Sequence, residues 1–409
     1  MGEKKSFYKK RIIKEIYFSS LISCADLSEK INKSLPLTTK MLNELIDEGI
    51  VIETGHAAST GGRRPAMYSL KPGVMHVIAV AMDQLVTRIA LVDMSDSTIK
   101  EITKFELKLD KNPNALFELT KNIDAFINKL SISKEKIIGV GIGMPGFINF
   151  KKGINYTFLP SGETSINDHV SQRLGLPVFI DNDSSLIALT ELKFGAARNK
   201  QNAMVINISW GIGLGLILNG ELFRGSDGFA GEFSHLPLFN NNKLCECGKS
   251  GCLETEASLL VVIEKARKAL ADGRPSSLKE LPADNFDEAC REITKAAGKG
   301  DKLTVELLSE AGYTIGRGVA ILIHILNPDI IILSGRGSLA GKIWLAPIQQ
   351  ALNEYCIPRL GANTAIQMSA LGYDAELIGA AALVIENYEM SMMKTAVTNE
   401  VMADALNNN

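Results

Sequence analysis

The sequence lacks any apolar run of the roughly 18 residues that a helix needs to cross a bilayer. Its first residues, MGEKKSFYKKRIIKEIYFSS, are charged and periodic, and do not have the apolar centre of a secretory signal. Cysteine is scarce, with six in 409 residues, and the net charge is only −2. These absences argue against a membrane-spanning protein and predict a cytoplasmic one, where clustered thiols more often bind metals than form disulfides.

Charge is distributed unevenly along the chain. The first 72 residues hold 12 Lys and Arg against 8 Asp and Glu, whereas the remainder holds 32 against 38. A chain of this length exceeds a single hydrophobic core, so we expect two or three domains. A small basic module followed by a larger acidic body predicts that the N-terminal part meets a polyanion and that the body does not.

Residues 1–72 have the pattern of a winged helix-turn-helix. SFYKKRIIKEIYFSS repeats its apolar residues with a helical period, and Ser23 suits the N-cap of a second helix. LTTKMLNELIDEG predicts a third helix whose inward face carries Leu37, Met41, Leu42 and Leu45. IVIETG and AMYSL then read as the two strands of a wing.

The third helix of such a module enters the major groove of DNA, and the wing reaches phosphates or the minor groove. The alternative is a helical docking domain whose charges are only solvated. The predicted contacts to double-stranded operator DNA are Thr38, Thr39, Lys40 and Asn43 on the helix and Arg63 and Arg64 in the loop of the wing.

Beyond residue 72 strands alternate with helices. VMHVIAVAM and TRIALVDM predict neighbouring buried strands, and AMVINISWGIGLGLILNGELFRG predicts two strands joined by a glycine-rich turn. Most strands end in glycine or polar residues, which is typical of an α/β fold with sites at strand ends.

Several of these segments, in this order, resemble the ROK family of repressors, open reading frames and sugar kinases. The matching motifs are GIGMPGFIN, LGLPVFIDNDSSLIALTE, GIGLGLILNGELFRG, GEFSH, CECGKSGCLE and NPDIIILSG. The resemblance covers most of residues 75–385, and the N-terminal module matches the repressor branch of the family. It implies a two-lobed, actin-like (ribonuclease H-like) fold, a sugar cleft between the lobes and a homodimer or homotetramer.

The implied domains are a DNA-binding domain at 1–72, a small α/β lobe at 73–195 that a C-terminal helix at about 374–390 completes, and a large lobe at 196–373. The large lobe carries the cysteine cluster. His235, Cys245, Cys247 and Cys252 fit a tetrahedral Cys3His zinc site, which is closed and therefore structural. The alternative is three free thiols near an unrelated histidine.

The resemblance also implies a sugar pocket beside the zinc. Carboxylates and amides suit this task because each can bind two vicinal hydroxyls. The residues that match the family's sugar ligands are Asn182, Asp183, Glu232, His235 and Glu254. His235 is expected to bind zinc through one ring nitrogen and the sugar through the other. The chain departs from the family at Ser234, where glycine is common.

Asp183 matches the catalytic base of the family kinases, but the phosphate-binding turns are altered. Where kinases carry Asp-x-Gly-Gly-Thr, this chain places Ala81, Asp83, Gln84 and Leu85. The second turn, Gly-Thr-Gly in kinases, is replaced by Ser209, Trp210 and Gly211, and Arg336 lies within a third glycine turn. Phosphoryl transfer needs backbone donors and neutralised phosphate charge, so these changes argue against kinase activity.

The sequence therefore predicts a sugar-responsive transcriptional regulator that represses through operator DNA, with structural zinc and no catalysis. One alternative is an ATP-dependent kinase of a hexose or N-acetylhexosamine with a divergent nucleotide site. Another is a regulator that answers to a partner protein rather than to a sugar.

Overall fold

The computed structural model describes residues 2–57, 64–162 and 164–389. Contacts divide the chain into two compact units. The first comprises the chain up to Asp181 together with the chain from Ala380, and the second comprises Asn182–Gly379. Within the described ranges, none of the helices has both the length and the apolar character that crossing a membrane requires.

The first unit opens with three helices and a small antiparallel sheet of order β1-β3-β2. Its core is built from residues at helical spacing, with Ile12, Ile16, Leu27 and Leu42 at most 1% exposed. This arrangement confirms the predicted winged helix-turn-helix. The elements are α1 (Gly2–Ser19), β1 (Ile22–Ser23), α2 (Cys24–Lys30), α3 (Leu35–Asp47), β2 (Val51–His56) and β3 (Ala66–Leu70).

The remainder of the first unit is a mixed five-stranded sheet of order β10-β7-β4-β5-β6 with helices packed on it. β4 pairs with β5 in antiparallel register and with β7 in parallel register. The elements are β4 (His76–Met82), β5 (Val86–Asp93), β6 (Ile99–Glu106), α4 (Ala115–Lys129), β7 (Ile137–Met144), β8 (Ile148–Asn149), β9 (Ile154–Asn155), α5 (Ile166–Leu174) and β10 (Val178–Asn182).

The second unit has its own mixed five-stranded sheet, of order β13-β12-β11-β14-β15. The α/β fold class is thus confirmed. The elements are α6 (Asp183–Phe194), β11 (Ala203–Ile208), β12 (Ile212–Leu218), β13 (Glu221–Phe223), α7 (Glu254–Ala257), α8 (Leu259–Ala271), α9 (Phe286–Gly298), α10 (Lys302–Leu326), β14 (Ile330–Ser334), α11 (Leu345–Tyr355), α12 (Pro358–Gly361) and β15 (Ala365–Met368).

The last described helix, α13 (Ala375–Glu386), belongs to both units, because the boundary falls between Gly379 and Ala380. Its packing on β7 depends on glycine. A Cβ atom at Gly141 would lie 1.9 Å from the carbonyl oxygen of Ala380, so no larger residue fits while the helix keeps this position.

Candidate functional site

Asn182 and Asp183 lie where β10 ends and α6 begins. The Asn182 side-chain oxygen accepts hydrogen bonds from the amides of Ser184 (3.0 Å) and Ser185 (3.3 Å), so it caps the helix. This cap fixes the direction in which the chain enters α6 and holds the neighbouring Asp183 at the helix N-terminus, where a negative charge is favoured.

Asp183 is further held by groups from its own turn and from β11. Its Oδ1 accepts from the Ser184 amide at 2.7 Å, and its Oδ2 accepts from Asn207 Nδ2 at 3.2 Å. Asn207 also donates to Ser184 Oγ at 3.2 Å. The carboxylate therefore has a fixed orientation before any ligand arrives.

Glu232 and His235 lie at the two ends of a 3-10 turn formed by Phe233–His235. Burial, together with the negative charges of Asp183 and Glu254, raises the pKa of Glu232 to about 7. Three carboxylates thus act on the same small region of the second unit. Ser234, at the position where the family commonly has glycine, lies within this turn without a positive φ, so serine fits there unstrained.

His235 contacts both of the glutamates through different nitrogens. Its Nε2 lies 3.7 Å from Glu232 Oε2, and its Nδ1 lies 3.4 Å from Glu254 Oε1. Nδ1 also lies 3.5 Å from Cys245 Sγ. The ring therefore turns Nδ1 toward the thiols and Nε2 toward Glu232.

The predicted metal ligands come together. One ligand atom from each of His235, Cys245, Cys247 and Cys252 lies within 4.8 Å of the other three. Cys247 Sγ and Cys252 Sγ are 3.6 Å apart, which is close to the edge of about 3.7 Å expected between ligands of a tetrahedral zinc and far longer than a disulfide. The donor set and its spacing fit zinc.

Backbone geometry brings these ligands together. Pro237 and Cys252 form an isolated antiparallel bridge, as do Leu244 and Ser250, so the cysteine loop folds back on the segment after His235. Gly251 has φ +77°, and a Cβ there would lie 1.9 Å from the Phe239 carbonyl oxygen. Glycine is therefore required at that crossing.

Glu254 joins the thiol cluster to the sugar residues. Cys245 Sγ donates to Glu254 Oε1 at 2.9 Å. Burial and the neighbouring Glu254 raise the pKa of the Cys245 thiol. Since a metal binds the thiolate, its binding would have to release that proton.

A second cluster includes Trp210, which follows the C-terminal end of β11. Trp210 is 4% exposed, and its ring centre lies 4.2 Å from the guanidinium carbon of Arg336. Arg336 is stacked on Tyr373 at 4.5 Å on another side and forms an ion pair with Asp287. Arg336 is itself 4% exposed, so its charge is neutralised inside the protein. Sequence alone placed Arg336 and Trp210 near the nucleotide turns but did not show that they stack.

The DNA-binding prediction needs one correction. Thr38 is 0% exposed, and its hydroxyl donates to the Ser34 carbonyl oxygen at 3.1 Å, so it is a core residue and cannot reach a base. Thr39, Lys40 and Asn43 are exposed on α3, as predicted. Arg64 is exposed two residues before the return strand β3, whereas Arg63 lies outside the described residues.

Sequence reasoning also missed Asn207, which orients Asp183. The available signal was a single amide near the end of the apolar strand AMVINI, where an unpaired polar side chain would be costly. Such a residue indicates a partner at the strand end.

Comparison with known proteins agrees with this architecture. The family model "ROK family" matches residues 79–387, and "Winged helix-turn-helix DNA-binding" matches residues 8–52. The chain is 30% identical to the xylose repressor of Caldicellulosiruptor bescii over 392 residues, covering 94% of this chain and 96% of that protein.

It is also 31% identical over 322 residues to the glucokinase of Halalkalibacterium halodurans, but there only 74% of this chain is covered. Among solved structures, a ROK family transcriptional regulator that is a homologue of the E. coli MLC protein is similar, with a TM-score of 0.76 and 25% identity. That similarity covers 97% of this chain and 100% of the other.

Proposed function

The chain belongs to the ROK family, and we propose that it is a repressor whose affinity for operator DNA is set by a sugar bound to the second unit. One observation supports this proposal: the same chain contains a winged helix-turn-helix and a cluster of three carboxylates with a histidine, a set suited to sugar hydroxyls. The xylose repressor aligns along nearly all of it, whereas the glucokinase alignment covers only 74%.

The proposed sugar ligands are Asp183, Glu232, His235 and Glu254, with the Asn182 amide beside them. Asp183 and Glu254 provide acceptors for vicinal hydroxyls, and His235 Nε2 lies on the Glu232 side of its ring, away from the thiols. A polyol fits such a set because its hydroxyls can donate to several carboxylates at once. We assign DNA reading to residues 1–72 and the zinc loop to residues 196–373.

The proposed zinc has a structural role. His235, Cys245, Cys247 and Cys252 would complete its four positions, leaving none for a reactive water. When bound, the metal would supply only a fixed geometry and the deprotonation of its thiols. Its effect on the sugar would be indirect, because His235 and Glu254 are oriented by the loop that it closes.

We propose that the protein has no kinase activity. The turn between β4 and β5 is closed by its own carboxylate, since Asp83 Oδ1 accepts from the amides of Leu85 and Val86, each at 2.8 Å. A phosphate approaching these donors would meet a negative charge instead. In the second unit the buried stack of Trp210 on Arg336 takes the place of an open glycine turn. Both changes remove what phosphoryl transfer needs.

A protein that acts on DNA in this way is proposed to work in the cytoplasm as a homodimer or homotetramer. A two-fold dimer places two recognition helices on successive turns of one DNA face, so we expect a palindromic operator.

The test is fluorescence anisotropy of the full chain on DNA from upstream of its own gene. Salt is held fixed because phosphate contacts make affinity salt-dependent. D-Xylose, D-glucose and N-acetyl-D-glucosamine are titrated in turn. We expect specific binding that one sugar changes; binding no tighter than to random DNA would contradict the proposal.

The second candidate is a sugar kinase, and the fixed Asp183 favours it. The same three sugars are incubated with ATP and magnesium, and ADP release is followed. Steady turnover that Asp183→Asn abolishes would establish the kinase. Specific DNA binding that none of the sugars changes would instead favour regulation by a partner protein.

A further inference from the structure

The C-terminal end of α13 is held by α1 of the DNA-binding module. The last carbonyl groups of a helix have no partner within the helix and are often satisfied by cations. Here Lys14 Nζ donates to the carbonyl oxygen of Glu386, the last residue of the helix, at 3.1 Å. Lys10 Nζ donates at 3.1 Å to the carbonyl oxygen of Tyr388, two residues beyond the helix.

Further contacts reinforce this attachment. Lys10 Nζ lies 4.7 Å from the centre of the Tyr388 ring, and Lys14 Nζ lies 3.8 Å from Glu389 Oε1. The positive charges of both lysines are also attracted to the negative, C-terminal end of the helix dipole. Tyr17, also on α1, is 3% exposed and accepts a hydrogen bond from Ser97 Oγ at 3.0 Å. The module is therefore attached to the rest of its unit at two places along α1.

The N-terminal part of α13 packs on α6, the helix that begins at the proposed sugar ligand Asp183. Thr190 Oγ1, on α6, donates to the Ala375 carbonyl oxygen at 2.6 Å. A Cβ at Gly379 would lie 2.2 Å from the Leu186 carbonyl oxygen, so the two helices touch through their backbones. Leu186 is one turn from Asp183, and the contact allows little sliding without a rearrangement.

From α1 the contacts continue to the recognition helix. Lys5 and Lys9 of α1 each pair with Glu44 of α3 at 2.9 Å, and Lys9 also bonds to Glu48. A shift of α1 therefore moves the helix that carries Thr39, Lys40 and Asn43.

We propose that α13 transmits the sugar-bound state to the DNA-binding module, and that Lys10 and Lys14 are the positioning residues that fasten α1 to its C-terminal end. This inference rests on the proposed function, since it concerns how the sugar site acts on DNA. It assigns a role to residues that touch neither ligand.

The first measurement is independent of any sugar. Hydrogen exchange of the full-length protein is compared with that of Lys10→Met/Lys14→Met, which keeps the apolar stems and removes the donors. We expect faster exchange in residues 5–20 and 383–389. Lys30→Met is the matched control, because Lys30 belongs to the same module and pairs with Glu15 instead. Unchanged exchange in the double variant would overturn the attachment.

The second measurement is the coupling ratio, defined as the Kd for the upstream DNA at saturating sugar divided by the Kd without sugar. The sugar is whichever of D-xylose, D-glucose and N-acetyl-D-glucosamine changes DNA binding by the wild-type protein. In the double variant we expect the effect of sugar on the Kd for DNA to shrink at least about fivefold, so that the ratio comes close to one. Sugar affinity measured without DNA should stay within about twofold of the wild-type value. Lys30→Met and the charge-preserving Lys14→Arg should keep the wild-type ratio.

The outcomes separate the inference from the function on which it rests. If sugar changes the DNA affinity of the double variant as much as that of the wild-type protein, transmission through α13 is overturned. The proposed function as a sugar-responsive repressor is then unaffected. A wild-type protein that binds DNA but answers to no sugar overturns the proposed function and the transmission together. A coupling ratio close to one that is accompanied by an equally large loss of sugar affinity indicates damage to the sugar site. That result also counts against the inference.

Discussion

The guanidinium of Arg336 lies 4.2 Å from the ring centre of Trp210, although the two residues are 126 positions apart in the sequence. The same guanidinium neutralises Asp287 inside the second unit. In the proposed sensor, which would need no nucleotide, a fixed stack can fill the region of the altered glycine turns, whereas a kinase has to keep that region open.

Removing Arg336 should destabilise the protein strongly. Arg336→Leu leaves the buried Asp287 carboxylate without its partner, and we expect a loss of about 3–5 kcal/mol in the free energy of unfolding. Urea unfolding followed by circular dichroism measures it. The double variant Arg336→Leu/Asp287→Leu removes both charges and should recover at least half of the loss. A single variant as stable as the wild type would show that the ion pair is not formed.

Cys247→Ser should abolish zinc binding and weaken the response to sugar together, because the proposed metal would fix the loop that orients His235 and Glu254. Metal content is measured by atomic emission and sugar affinity by calorimetry. Cys356→Ser is the control, since Cys356 lies outside the thiol cluster. Full sugar affinity in metal-free Cys247→Ser protein would separate the pocket from the zinc.

Asp183→Asn should weaken sugar binding by about 10- to 100-fold, because it replaces a charged acceptor of hydroxyl protons with a neutral amide. DNA affinity without sugar should be unchanged, since Asp183 belongs to the other unit. Calorimetry and anisotropy on the same preparation check both statements. Equal sugar affinity in the variant would place the sugar elsewhere.

Thr38 and Thr39 should respond differently to the same change. Thr39→Val removes an exposed hydroxyl from the face of α3 that is proposed to read bases, and we expect a loss of specific affinity of about 1–3 kcal/mol. Thr38→Val alters only the buried hydrogen bond to Ser34. Operator affinity should therefore be unchanged, while the free energy of unfolding changes by about 1 kcal/mol. The reverse pattern in anisotropy would mean that another face of α3 meets DNA.

Lys40→Ala should weaken binding to specific and random DNA alike. A lysine that meets phosphate carries no sequence information, so its loss should lower the salt dependence of log Kd by about one. Titrations at several salt concentrations measure this slope. A loss confined to the specific sequence would assign Lys40 to a base instead.

Local patterns predicted the local structures. The cysteine spacing led to the four-residue cluster, and Ser23 caps α2 by accepting from the Asp26 amide, as expected. The third helix was predicted, but with Leu37 facing inward, and Leu37 is 37% exposed whereas Thr38 is buried. Positions 38, 41, 42 and 45 have helical spacing, so periodicity favoured Thr38 while hydrophobicity favoured Leu37.

Contacts between distant segments could not be read from periodicity. The pairing of Arg336 with Asp287 depends on which helix lies over the end of β14, and nothing in either local segment specifies it. The same holds for Asn207 and Asp183, which are joined only because β11 runs beside the start of α6. From the sequence alone, Lys10 and Lys14 are expected to be solvated charges on a basic helix. Only the structure shows that they contact the end of α13.

The position of α13 has a consequence for protein engineering. A chimera that exchanges only residues 1–72 for those of another regulator would bring in a first helix matched to a foreign helix end. The chimera would then bind the operator of the introduced DNA-binding domain, but its affinity for that operator would not respond to sugar. Transplanting specificity with control intact should require the segment 375–389 to travel with residues 1–72, as one cassette made from both ends of the described chain.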